Sequence, residues 1–259
     1  MIRNTFVLLN GIGPCRERSL WSRGVLSWKE FLDENRIPGI SDGRKNQMDC
    51  RLLEANERLR ARDSEYFADN IPRKELWRCL SDFGESVAFL DIETTGISFH
   101  SPITVVGVFD GRRIHSLVRG QNLTRANLQG MLSGASMIVT FNGSSFDMPM
   151  IEAQFPGAVP GVPHVDLKHA LRRLGYAGGL KNIERELGIE RDRRVEYMTG
   201  EDAVYLWRLW ERKGKKNALD LLVEYNAEDC RNLKTLASFA YKHLRRMVFD
   251  AARQPAKIE

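Results

Sequence analysis

The residues best equipped for chemistry are Asp91 and Glu93, which close the apolar run Val87-Ala88-Phe89-Leu90-Asp91-Ile92-Glu93. A run of this kind reads as a buried strand. Residues two apart on a strand share a face, so both carboxylates aim at one point. Two anions at the end of a buried strand repel each other unless a cation sits between them. A hard divalent ion, Mg²⁺ or Mn²⁺, suits carboxylate oxygen best. Thr94, Thr95 and Gly96 follow as turn residues that stop the strand beside the acids. A lone D-x-E also fits a strand that ends in a polar turn with both acids solvated. The choice depends on whether other acids converge on the same place.

Three further acids are candidates. Asp147 closes Asn142-Gly143-Ser144-Ser145-Phe146-Asp147, after the apolar run Met137 to Phe141. The spacing predicts a helix from Asp147 to Gln154, so Asp147 either serves the helix start electrostatically or joins the first pair. Asp229 lies on a long helix expected over about residues 217–245. There Leu222, Asn226, Asp229, Leu233, Leu236 and Ala240 recur in steps of four and three, one inward-facing stripe. An acid on such a stripe is costly unless it is paired or metal-bound, or else it marks the edge of the apolar face. Tyr225 stands one turn before it. Asp166 reads as the cap of a helix over 167–174.

The elements that must position these residues form a mixed sheet. After the Asp91/Glu93 strand come Ile103 to Phe109 and Arg113 to Val118, joined by Asp110-Gly111, a tight-hairpin signal. A helix over 123–132 then carries the chain to Met137–Phe141. That strand follows a helical crossover and so runs parallel to the first. Residues 162–165 supply a short fifth strand, placed at an edge by Pro163. Three antiparallel strands plus parallel ones, flanked by helices, make an α/β fold on the ribonuclease H-like plan. Parallel strands put their C-terminal ends on one side, which brings Asp147 toward Asp91 and Glu93.

The 259 residues carry 42% hydrophobic and 28% charged side chains, enough for a sizeable core and against global disorder. A net charge of +5 around an acidic centre fits a polyanionic substrate, or solubility alone. The four cysteines form no CxxC pair, which excludes zinc ribbons and thioredoxin-like redox motifs. No apolar run approaches ~18 residues, so no membrane span is expected. With no signal-peptide pattern at the start, a cytoplasmic location is expected. Residues 1–84 read as a small helical segment. Its Gly11-Ile12-Gly13 resembles the turn of a helix-hairpin-helix motif, where backbone N–H groups hold a phosphate. It is otherwise a structural turn. Arg51, Arg58, Arg60 and Arg62 either touch a nucleic-acid backbone or form a solvated face. Residues 248–259 are expected to be a flexible tail.

In order, the chain holds D-x-E on the first strand, N-x3-F-D after the fourth, and Y-x3-D on a late helix. This series resembles the DEDD-type 3′–5′ exonucleases of the ribonuclease H-like superfamily, in the subclass with tyrosine in the last motif. The likeness covers residues 85–247. It is nearest to the YprB-type ribonuclease H-like domain and is similar to the proofreading domains of B-family DNA polymerases. The resemblance implies that Asp91, Glu93, Asp147 and Asp229 hold two divalent ions and that Tyr225 orients the attacking water. It implies hydrolysis of a DNA or RNA strand from its 3′ end, single-stranded DNA or DNA ends first. Thr94, Asn142 and Phe146 are expected along the strand path, with Gly11 and Gly13 as an outlying phosphate contact. The other readings are a non-catalytic nucleic-acid-binding module and a ribonuclease H-type endonuclease.

Overall fold

The computed structural model describes residues 1–253. The helical segment comes first: α1 (Pro14–Ser22), α2 (Trp28–Asp33), α3 (Asp42–Arg60), α4 (Ser64–Asn70) and α5 (Leu80–Phe83), with a 3-10 stretch over Arg73–Cys79. Pro14 occupies the first turn of α1, where its missing N–H is not needed. Ser27 caps α2 by accepting from the Glu30 N–H. The Glu30 carboxylate accepts in return from the Leu26 N–H at 2.6 Å, which fixes how the chain enters the helix.

The sheet follows: β1 (Val87–Thr94), β2 (Ile103–Phe109), β3 (Ile114–Val118), α6 (Arg125–Leu132), β4 (Met137–Thr140), α7 (Asp147–Gln154), β5 (His164–Asp166), α8 (Leu167–Arg172), α9 (Leu180–Glu186), α10 (Gly200–Lys213), α11 (Lys216–Arg245) and α12 (Ala251–Arg253). The strand order is β3-β2-β1-β4-β5. β1, β2 and β3 are antiparallel neighbours, whereas β4 and β5 run parallel to β1. This is the expected mixed five-stranded α/β sheet. The β2–β3 connection is longer than a two-residue hairpin. Asp110 accepts from the N–H groups of Arg112 and Arg113, both at 2.7 Å, and delays β3 to Ile114.

The pleat of β1 decides what each face holds. Ala88, Leu90 and Ile92 pack with Leu128 and Leu132 of α6 and Met150 and Ile151 of α7. Val87 and Phe89 face the other way, with Leu233, Leu236 and Ala240 of α11. Asp91 and Glu93 continue that second face, so the pleat aims them at α11. The close approach of α11 depends on Gly107, which pairs with Asp91 across β1 and β2.

The helical segment shares its core with this second face: Phe6, Trp21, Phe31, Phe67 and Phe83 belong to the same cluster as Phe89 and Leu236. A buried ion network reinforces the join. Arg78, fully buried, meets Glu17 at 2.8 Å and Glu75 at 2.9 Å. Glu75 in turn meets Arg173, just past α8, at 3.4 Å. The tail differs from expectation. A π-helical turn, Arg246–Asp250, continues α11, and Phe249 is buried with its ring 5.0 Å from that of Trp21. Burying Phe249 ties down residues 248–253, while residues 254–259 lie outside the described residues. No helix among the described residues is long and apolar enough to cross a membrane.

A methyl group on Gly107 would stand 2.1 Å from the Asn226 Oδ1 and 2.8 Å from the Cys230 Sγ, both on α11. Gly107→Ala should therefore push α11 off the sheet and destabilise the fold by about 1–3 kcal/mol, the usual range for overpacking. Gly130→Ala, in α6 with nothing within 4 Å of the new methyl, should be neutral or stabilising by up to ~1 kcal/mol. Thermal denaturation of both variants checks the contrast. Equal melting temperatures would exclude close packing at Gly107.

Candidate active site

The carboxylates of Asp91, Glu93 and Asp229 offer oxygens that all lie within 4.8 Å of one another. β1 supplies the first two from one face, and the middle of α11 supplies the third from directly above. Asn226, one turn before Asp229 on α11, is completely buried and orients Asp91. Its Nδ2 donates to the Asp91 Oδ2 at 2.8 Å and to the Asp91 carbonyl at 3.1 Å.

Asp147 sits beside these three but outside their 4.8 Å set. Its place follows from where β4 ends. The β1–β4 ladder stops at Phe89 and Val139, so the Ile92 N–H has no strand partner on that side. The Asp147 Oδ1 accepts it at 3.2 Å. The loop between β4 and α7 is held by Asp166, which caps α8 by accepting from the Lys168 N–H. Asp166 also accepts from the N–H groups of Asn142 at 2.8 Å and Ser144 at 3.1 Å. Asn142 adopts a left-handed φ of 64°, and its side-chain carbonyl accepts from the Lys168 ammonium at 3.0 Å.

The acids perturb one another strongly. Burial, then the charges of Asp229, Asp147 and Glu93, raise Asp91 well above the usual carboxylate range. Burial, then Asp229 and Asp147, raise Glu93 likewise. Asp147 is pushed up to about 7, chiefly by burial. Asp229 is raised to about 6 by burial, with Arg191 pulling it back down. Tyr225 is raised too, by burial and then by the charges of Asp229, Glu93 and Asp91. Both effects favour the neutral hydroxyl.

Two cations reach this cluster that spacing alone did not single out. Arg191, almost fully buried, contacts the Asp229 Oδ1 through Nη2 at 2.5 Å. Its guanidinium also forks onto Glu184, with Nη2 2.8 Å from Oε1. Lys181, at the start of α9, places its ammonium 4.3 Å from the centre of the Tyr225 ring. That nitrogen is buried with no hydrogen-bond partner, and burial lowers its pKa against the pull of Asp229. Both groups come from outside the strands and α11, so no periodicity pointed to them.

The Thr94 hydroxyl donates to the Gly96 carbonyl at 2.6 Å, holding the turn after β1. Phe146 is half-buried against the α6–α7 side of the core. Gly11 and Gly13 belong to the helical segment. The Gly11 carbonyl accepts from Arg16 at 2.9 Å, and Gly13 caps α1 with open space around it.

An all-carboxylate, buried set of oxygens suits a hard divalent cation and offers nothing to softer metals. Four acids outnumber the one cation in contact with them, Arg191, and the nearby Lys181 ammonium, and the excess accompanies raised carboxyl pKa values. The residues present therefore fit such an ion.

A family model described as RNase_H superfamily matches residues 88–241. The fold is similar to part of the family B DNA polymerase from the hyperthermophilic archaeon Pyrobaculum calidifontis, at 16% identity and a TM-score of 0.51. The likeness covers 65% of this chain but 27% of that polymerase, and at this identity it concerns the fold. No curated protein matches the chain.

The raised carboxyls have a consequence for stability. A carboxyl that holds its proton more tightly when folded contributes stability that is full below the unfolded pKa, near 3.8 for Asp147. That contribution is lost as pH rises through the folded value, about 7. The metal-free protein should thus lose on the order of 1–3 kcal/mol between pH 5 and pH 8 through this cluster. Asp147→Asn keeps the acceptor for the Ile92 N–H and removes one charge. In EDTA at pH 8 it should melt higher than wild type, with a smaller gap at pH 5. Melting curves in EDTA and in Mg²⁺ check this; a gap independent of pH would contradict a strained acid cluster.

Proposed function

The chain belongs to the RNase_H superfamily, and on that footing we propose that it is a divalent-metal-dependent 3′–5′ exonuclease acting on nucleic acid, single-stranded DNA or DNA ends first. One observation carries this reading: Asp91, Glu93 and Asp229, from a strand and a helix far apart in sequence, converge within 4.8 Å with Tyr225 one turn away. Asp91, Glu93, Asp147 and Asp229 are the residues that would hold two ions of the Mg²⁺ or Mn²⁺ type. Such ions, when bound, lower the pKa of a water and neutralise charge on the phosphate and the leaving oxygen.

The chain's own groups take the other roles. Tyr225, whose surroundings raise its pKa, would donate a hydrogen bond that positions the attacking water. The buried, unpartnered Lys181 ammonium beside that ring is placed to neutralise charge on the phosphate. Arg191 and Asn226 hold Asp229 and Asp91 in place. The Y-x3-D arrangement on α11 supports the tyrosine subclass, and with it 3′–5′ polarity.

Asp91→Ala and Asp229→Ala should each abolish hydrolysis while the fold survives. Tyr225→Phe should slow it by about 10²-fold, within the range for groups that handle protons, with metal affinity nearly unchanged. The measurement is a time course on 3′- and 5′-labelled single strands of DNA and RNA, with Mg²⁺, Mn²⁺ or EDTA. Internal cuts from the first time point would point to an endonuclease of ribonuclease H type. Full activity in either alanine variant would remove the two-ion assignment.

A further inference from the structure

Two open grooves adjoin along the β5 side of the molecule. The first, about 860 Å³, lies between the loop at residues 7–10, α3 and the chain at 68–73, with Arg44, Arg51 and Arg73 on its walls. Arg44 and Arg51 are seven residues apart on α3, two turns, and so present to one face. The second, about 940 Å³, runs on toward β5 and α7, with Arg73, Lys74 and Arg173 on its walls. Ala68 and Arg73 belong to both, which joins the two into one track. The track ends at Ser144, on the loop that carries Asp147 into the acid cluster.

The charges along it are uneven. Of the five cations on its walls, Arg51 is paired with Glu54 and Arg173 with Glu75, and the carboxylates on the walls are Asp69, Glu152 and Asp166. Asp166 already accepts three backbone N–H groups, and Glu152 accepts from the Gly157 N–H. A solvated arginine face pairs its charges locally, as Arg58 does with Asp63 and Arg62 with Glu85. Arg44, Arg73 and Lys74 behave otherwise: exposed, and without an ion pair among the described residues. Unpaired cations spaced along a groove that ends beside a nuclease-like centre match a chain of phosphates.

We propose that this track binds the sugar–phosphate backbone of the nucleic acid whose end lies at the acid cluster, several nucleotides away from the bond being cut. The proposal rests on the nuclease reading for its direction, and it extends the helical segment's role from packing to substrate grip. Binding through phosphates is indifferent to base sequence and acts on long strands only.

The test reverses two exposed, unpaired charges together, Arg73→Glu with Lys74→Glu, and compares Arg112→Glu, an exposed arginine on the β2–β3 turn at the opposite end of β1. Binding of labelled 30-nucleotide single and double strands is followed by fluorescence anisotropy in EDTA across a salt series. The double variant should bind at least about tenfold more weakly at moderate salt, and each lost phosphate contact should lower the salt slope by about 0.7–0.9. Arg112→Glu should bind as wild type does. With Mg²⁺, cleavage of a four-nucleotide strand should be unchanged in the double variant, whereas the KM for the long strand rises and kcat holds. The single- and double-stranded arms tell which form the track takes. Unchanged long-strand binding, or equal weakening by Arg112→Glu, overturns the proposal. Weakened binding in a protein that cleaves nothing would keep the track and remove the nuclease reading. If the double reversal melts lower than wild type, Arg73→Ala with Lys74→Ala repeats the comparison with smaller expected shifts.

Discussion

Repulsion among carboxylates gathered into one corner is the constraint around which this molecule is arranged. The pleat of β1 leaves Asp91 and Glu93 on the face that α11 covers, and α11 presses Asp229 onto the same spot. Left alone, three or four buried anions would drive helix and sheet apart. The fold answers in two ways. Burial and mutual repulsion raise the acids' pKa values, which favours their holding protons, and Arg191 and Lys181 are brought in from outside the sheet. Both answers are partial, and that leaves the centre receptive to divalent cations.

α11 accordingly does more than cover the sheet. One stripe carries the apolar residues that hold it down, Leu222, Leu233, Leu236 and Ala240, and interleaved with them the candidate site residues Tyr225, Asn226 and Asp229. The same contact that stabilises the fold therefore sets the geometry of the site. Gly107 is where the two requirements meet: its lack of a side chain lets Asn226 reach Asp91, and any Cβ there would displace both the packing and the amide that holds Asp91. Inside the helical segment the fully buried Arg78 stands between Glu17 and Glu75, and Glu75 also reaches Arg173, just past α8, which together with the shared apolar core joins the segment to this frame. A charge that deep without both partners would be strongly destabilising, so the network fixes how the segment's own elements pack on one another.

Much of this was determined by the sequence alone. Val87 to Leu90 had to be a buried strand, and its period of two put Asp91 and Glu93 on one side. The steps of four and three through Leu222, Asp229 and Leu236 had to be one helical face, which made Asp229 an inward acid. Local rules of this kind act within a few residues, and the structure follows them through the whole strand order. The tertiary structure alone decided what meets across distance. Lys181 and Arg191 carry no periodic signal, since their roles depend on where α9 and the loop after it pack. Asp166 caps its helix as local chemistry requires, but that it also holds the Asn142–Ser144 loop depends on β5 lying beside β4. Phe249 looked like part of a tail because nothing near it in the chain explains its burial; Trp21, more than two hundred residues earlier, does. Spacing along the chain specifies faces, and faces were legible; which groups meet across packed faces is set by burial and charge balance, which only the assembled molecule expresses.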